Sequence, residues 1–293
     1  MNKICCTIVS PSHLYKGITT LFSVKEYDNE IILYLIVTDP IKIELENITI
    51  LSLDVLCKND PQATTIADIY RDRKDAFRWS LKPIVLRHLI SENSGATVIY
   101  CDCDMCFFAS PTHLYDYCKM GGIVLTPHWL TMDPDENITH FRESFRSGLF
   151  NAGCVVANEK GLYALDYWVK ACISGCEVDF SKGLFVDQKY LDLMLIYFPE
   201  TIVCRHTGYN LAAWNIEMRN RFLVENEGAT GSYEVALIHF TFDTMLQILL
   251  GKDIILQPHF VKYRKKLNSA VNLLIDSGVS HPQSIDRILY NTW

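Results

Sequence analysis

The sequence predicts an α/β domain in which a mostly parallel sheet is flanked by helices. Two observations carry this expectation. Several short apolar runs read as strands covered on both faces, and helical patterns stand between some of them. With 293 residues, 49% of them apolar and 21% charged, the chain is long enough to bury one large core.

The strand-like runs occupy residues 4–9, 31–37, 48–53, 97–100, 123–125 and 154–157. Between them Leu162, Leu165, Trp168, Val169, Cys172 and Ile173 recur at helical spacing, with Gly175 as the stop signal. A second helix is expected to open near Phe185, at Asp187-Gln188, and to end before Pro199. Such alternation places ligands outside the carboxyl ends of the strands. Residues 1–250 form the expected domain, and 251–293 a helical tail. In that tail Lys262, Arg264, Lys265 and Lys266 precede an amphipathic stretch over 267–275. It reads either as a helix packed on the domain or as a basic face resting on an anionic membrane.

A formal charge of −7 argues against nonspecific nucleic-acid binding, which needs a basic face. It leaves open a nucleotide, which one metal ion can hold. The chain opens with Met1-Asn2-Lys3 and then a strand-like run, and no apolar stretch approaches bilayer-spanning length. The 11 cysteines therefore read as reduced thiols of a cytoplasmic protein.

The run Thr97-Val98-Ile99-Tyr100-Cys101-Asp102-Cys103-Asp104 carries most of the chemistry. An apolar strand leads into carboxylates at i and i+2, which share a face in extended backbone. Two hard oxygen donors at a strand's carboxyl end make a partial site for Mn²⁺ or Mg²⁺. Competing readings are a solvated strand end, a zinc site on Cys101, Cys103 and Cys106, and a metal-dependent nucleotidyl or phosphoryl transferase. On the extended-strand reading Cys101 and Cys103 face away into the sheet. Downstream stand Asn151-Ala152-Gly153, Asp187-Gln188, Gly208-Tyr209-Asn210, Trp214-Asn215 and the strand-borne His239. Asn and Gln amides suit sugar hydroxyls, and a glycine lets backbone approach a ligand.

In order and rough spacing, Asp102-Cys103-Asp104, Phe150-Asn151-Ala152-Gly153, Asp187-Gln188 and His239 resemble the GT-A glycosyltransferases of the family 8-like, glycogenin and lipopolysaccharide galactosyltransferase kind. Leu81-Lys82-Pro83 and Gly208-Tyr209-Asn210-Leu211 are similar to segments of bacterial-type surface-polysaccharide sugar transferases. The resemblance spans roughly residues 4–243. It implies a Rossmann-like GT-A domain, a nucleotide-diphosphate-sugar donor, most simply UDP-linked, a glycan or glycolipid acceptor, and a divalent metal, usually Mn²⁺. Asp102, Asp104 and His239 would hold the metal. Asn151, Asp187 and Gln188 would line the donor sugar. Ser10, Tyr15, Lys82 and Gly153 would lie on the donor, with Tyr15 stacked on the base. Two features depart from the family: His239 runs into Phe240-Thr241-Phe242-Asp243 without the usual glycine, and Gly251-Lys252 lies far from His239. The resemblance also implies retention of anomeric configuration. Inversion would need a base, for which Asp187 is the first candidate, with Asp133 and Glu143 in an acceptor lid. A sugar-phosphate nucleotidyltransferase and a catalytically silent GT-A binding module are the alternatives. Ser10 to Thr20 holds one Gly and one Lys, a poor match to a triphosphate-gripping loop.

Overall fold

A computed structural model describes residues 2–218 and 234–279. The last part of the expected tail, 280–293, lies outside the described residues. All six expected strands form, in a sheet of order β10-β6-β7-β4-β1-β2-β3. Its members are β1 (Lys3–Val9), β2 (Ile32–Val37), β3 (Ile48–Ser52), β4 (Thr97–Cys101), β6 (Ile123–Pro127), β7 (Phe150–Ala157) and β10 (Thr201–Val203). Two small pairs join β5 (Met105–Phe107) to β11 (Leu237–His239), and β8 (Val178–Asp179) to β9 (Leu184–Phe185).

The helices are α1 (Leu14–Lys25), α2 (Leu53–Asn59), α3 (Pro61–Tyr70), α4 (Lys74–Glu92), α5 (Thr112–Met120), α6 (Ile138–Ser147), α7 (Leu162–Ser174), α8 (Leu191–Tyr197), α9 (Phe242–Leu249) and α10 (Gln257–Asp276). Two apolar clusters hold them to the sheet. One gathers Leu14, Ile18, Phe260 and Tyr263 from α1 and α10, and the other Ile66, Leu81, Val85 and Trp168 from α3, α4 and α7. The tail helix α10 thus buries Phe260, Tyr263, Leu267 and Leu274 against the domain, and Lys266 pairs with Glu26 beside α1. Among the described residues no helix is long and apolar enough to cross a membrane.

Strand direction decides where the site can form. β1 is parallel to β2 and β4, whereas β7 is antiparallel to both β4 and β6. The amino end of β7 therefore lies at the same sheet edge as the carboxyl ends of its neighbours. Its register against β6 jumps from Leu125↔Val155 to Thr126↔Asn151, a bulge that pushes residues 152–154 out of the ladder. β11 runs antiparallel to β5 with His239 opposite Met105, which sets it beside Asp104.

One expected element begins elsewhere. Phe185 belongs to β9, and α8 starts only at Leu191, so Asp187 and Gln188 occupy the turns between them. Val186, at φ 47°, makes the first of these turns left-handed.

Candidate metal and donor site

The chain leaves extended backbone as soon as β4 ends. Met105 N–H donates to the Asp102 carbonyl at 3.1 Å, so Asp102-Cys103-Asp104 forms a turn. Extended backbone therefore stops at Cys101, and side-chain alternation does not pair the two carboxylates. Both carboxylates still reach one place, because each is anchored by a neighbouring strand. Asp102 N–H donates to the Gly153 carbonyl at 2.7 Å, and Phe240 N–H to the Asp104 carbonyl at 2.8 Å. The same turn corrects the expectation for Cys103, which lines the cleft beside the carboxylates, whereas Cys101 is buried in β4. Burial and the Asp104 charge push the Cys103 thiol up to about 12, so it is protonated at neutral pH.

Asp102, Asp104 and His239 each offer a ligand atom, and these atoms lie within 4.8 Å of one another. His239 Nε2 meets Asp104 Oδ1 at 3.0 Å. Burial opposes ionisation of Asp104, but the imidazole and Lys16 overcome it and hold its pKa at about 2. Burial disfavours the imidazolium likewise, yet Asp104 raises the His239 pKa. Gly153 makes room for this pair. A Cβ on it would stand 2.6 Å from Asn151 Oδ1 and 2.8 Å from His239 Cε1, distances no side chain tolerates.

Beneath the carboxylates lies a buried cation. Lys82, on the turn of α4 that precedes Pro83, is 2% exposed. Its Nζ sits 3.2 Å from Asp102 Oδ1, 3.2 Å from Asp187 Oδ2 and 3.2 Å from the Ala152 carbonyl. Burial alone would depress this ammonium, but the two carboxylates raise its pKa. Asp187 is 1% exposed, and burial lifts its pKa to about 6 against the pull of Lys82, with the Asp102 charge adding to the rise. Trp168 Nε1–H fixes the Asp187 backbone by donating to its carbonyl at 2.8 Å. Asp187 thus lines the cleft while held in a buried ion pair with Lys82. Of the other two candidate bases, Glu143 pairs with Arg146 at 3.2 Å, and Asp133 accepts from Asp135 N–H at 2.9 Å.

The amides form the next wall. Asn151 Oδ1 accepts from Gly153 N–H at 2.9 Å, and Asn151 Nδ2 donates to Gln188 Oε1 at 3.3 Å. Asn210, at φ 62°, donates to Thr126 Oγ1 at 3.1 Å, and Asn215 Nδ2 spans the His128 and Asn210 carbonyls at 3.1 and 3.0 Å. These two brace the loop that carries Trp214, whose ring stands edge-on to His239 at 5.4 Å.

Asp102, Asp104, Lys82, Asn151, Gly153, Asp187, Gln188 and His239 line one cleft of about 390 Å³. Ser10 lies in a neighbouring cavity of about 330 Å³ at the carboxyl ends of β1, β2 and β3, with Asp39, Arg71, Lys74 and Arg78. Tyr15 does not join them. As the second residue of α1 it turns into the core with Leu14 and Ile18 and is 1% exposed, leaving no ring face for a base. Solved structures share the fold that carries this arrangement. Mouse xyloside xylosyltransferase 1, in its apo form, is 14% identical and superimposes over 83% of this chain and 99% of its own at a TM-score of 0.50. The galactosyltransferase LgtC, solved with donor and acceptor sugar analogs, is 13% identical over 91% of this chain and 95% of its own, at a TM-score of 0.53. The chain has the GT-A glycosyltransferase fold.

No protein-family model matches the sequence. The uncharacterized protein YfnD of Bacillus subtilis is 29% identical over 248 residues, 80% of this chain and 76% of that protein. The uncharacterized protein YfnF of the same organism is 22% identical over 224 residues, 73% of each chain. Within the GT-A fold, the site edge also carries residues that sequence patterning passed over. Lys16 and Arg78 face the cleft from α1 and α4, and His128 lies buried behind Asn151. Arg78 and Lys82 had a legible signal, since residues four apart share a helix face. His128, alone after a strand, had none.

The donor set suits a divalent ion. Two carboxylates and an imidazole are a common mixed set for such ions, and His239 Nδ1 is buried with no hydrogen-bond partner.

Proposed function

We propose that this protein is a metal-dependent glycosyltransferase. It moves a sugar from a nucleotide-diphosphate donor, most simply a UDP-sugar, to a hydroxyl of a glycan or glycolipid. The observation that carries the reading is the convergence of Asp102, Asp104 and His239 at the edge of a GT-A sheet, between a cavity of nucleoside size and a cleft walled by amides.

Asp102, Asp104 and His239 would hold Mn²⁺, for which a mixed oxygen and nitrogen set is better suited than for Mg²⁺. Bound there, the ion supplies positive charge against the negative charge that builds on a departing diphosphate. Lys82 would orient the Asp102 carboxylate through their 3.2 Å contact. Lys16 and Arg78 add positive charge at the rim, where phosphates would enter. Asn151 and Gln188 would bind sugar hydroxyls, and Ser10 with Asp39 would hold the nucleoside. The commitment of Asp187 to Lys82 supports retention, in which the acceptor attacks from the face the diphosphate leaves and needs no separate carboxylate base.

Proton NMR of the protein with Mn²⁺ and a panel of nucleotide sugars tests this, since water serves as a default acceptor. Release of the nucleoside diphosphate is expected, with the first-formed free sugar keeping the donor's anomeric configuration. Pyrophosphate formation from a nucleoside triphosphate and a sugar phosphate would instead support the nucleotidyltransferase alternative. The opposite anomer would refute retention.

A further inference from the structure

His128 follows β6 directly and is 6% exposed. Its two ring nitrogens face different partners. Nδ1 is 2.9 Å from the Gly148 carbonyl, which can only accept, so Nδ1 carries the proton. Nε2 is then a bare lone pair, 3.4 Å from Asn151 Nδ2 and 3.4 Å from Gln188 Nε2. Burial keeps the ring neutral by lowering its pKa to about 4. The Gly148 bond opposes that shift, and the charge of His239, beyond the Trp214 ring, adds to it.

The other tautomer would be costly. An Nε2–H would need amide oxygens turned toward it. Asn151 Oδ1 would then abandon Gly153 N–H, now 2.9 Å away, and Gln188 Nε2 would abandon the Ser147 carbonyl, now 3.0 Å away. Two buried hydrogen bonds would be lost together.

We propose that His128 is a positioning residue that sets the polarity of the sugar-binding wall. The Gln188 N–H groups are taken by Ser147 and His128, and those of Asn151 by Gln188 and His128. What remains for a ligand is the second lone pair of Gln188 Oε1 and that of Asn151 Oδ1. The wall is therefore an acceptor, and it selects a donor sugar with a free hydroxyl at the matching carbon. This role rests on the sugar-transfer reading, but the geometry beneath it is testable without any substrate.

Nitrogen-15 NMR of histidine-labelled wild-type protein at pH 7, assigned by loss of the signal in a His128→Gln variant, reads the tautomer. A protonated Nδ1 with an unprotonated Nε2 is expected. An Nε2–H tautomer or a doubly protonated ring would overturn the proposal. Kinetics supply the second arm. His128→Asn keeps a donor toward Gly148 but offers nothing at the Nε2 position, whereas His128→Gln restores an acceptor there. The Asn variant should lose about tenfold or more in kcat for donor hydrolysis with little change in KM, and the Gln variant should recover most of it. Equal losses in two folded variants would show a merely structural role. A wild type that turns over no nucleotide sugar would refute the sugar-transfer reading and leave the tautomer result standing.

Discussion

Replacing Lys82 by methionine is expected to destabilise the protein by about 3–5 kcal/mol at pH 8, measured by urea unfolding. The loss comes from what the substitution leaves behind. Lys82 Nζ neutralises Asp187, which is 1% exposed, and also contacts Asp102 at 3.2 Å. Without the ammonium, Asp187 keeps its desolvation penalty and loses its counter-charge. The pH dependence has a definite sign. Asp187 already titrates near 6 in the folded wild type, above about 4 for an unfolded carboxyl. Between those values the folded state binds more protons, so stability falls as pH rises through the window. Removing Lys82 lifts the folded pKa further and extends that loss toward neutral pH. The variant should therefore be markedly more stable at pH 5 than at pH 8. A variant as stable as wild type at both values would show that the buried pair contributes nothing to the fold.

Asp104→Asn should lower stability modestly, by about 1–2 kcal/mol at pH 7, and lower turnover by on the order of a hundredfold or more at saturating Mn²⁺. Asparagine is nearly isosteric and keeps an oxygen near His239, so the turn and its backbone bonds survive. It loses the anion that raises the His239 pKa and one hard ligand of the candidate triad. Affinity for Mn²⁺ should weaken in parallel, as read by titration of a paramagnetic relaxation signal. Wild-type turnover in this variant would remove the triad from the mechanism.

These two residues show how much of the molecule could be read beforehand. The strands were legible because they are short apolar runs, most of them buried on both faces, such as Ile4 to Val9 and Thr97 to Tyr100. The direction of β7 was not, since a run covered on both sides carries the same pattern whichever way it pairs. That direction proves decisive, because only an antiparallel β7 brings Asn151 and Gly153 to the edge where Asp102 sits. Asp102, Asp104 and His239 stood out by residue type and order, and they do converge, although through a turn and not through extended backbone. Tyr15 was misplaced for a related reason. A helix that opens right after a strand presents one residue to the cleft and the next to the core, and only packing against α10 decides which. Asp187 was named for its carboxylate, but its neutralisation by Lys82 depends on a contact across 105 positions that no local pattern encodes.

The central claim is that Asp102, Asp104 and His239 form a metal site coupled to a nucleotide-diphosphate pocket. Calorimetric titration of UDP into the wild-type protein, with Mn²⁺ present and again after chelation, tests it most directly. Binding that is tight with Mn²⁺, at least about tenfold weaker without it, and insensitive to Mn²⁺ in a His239→Ala variant is the expected result. Equal UDP affinity with and without the metal, or no binding in either condition, would contradict the account.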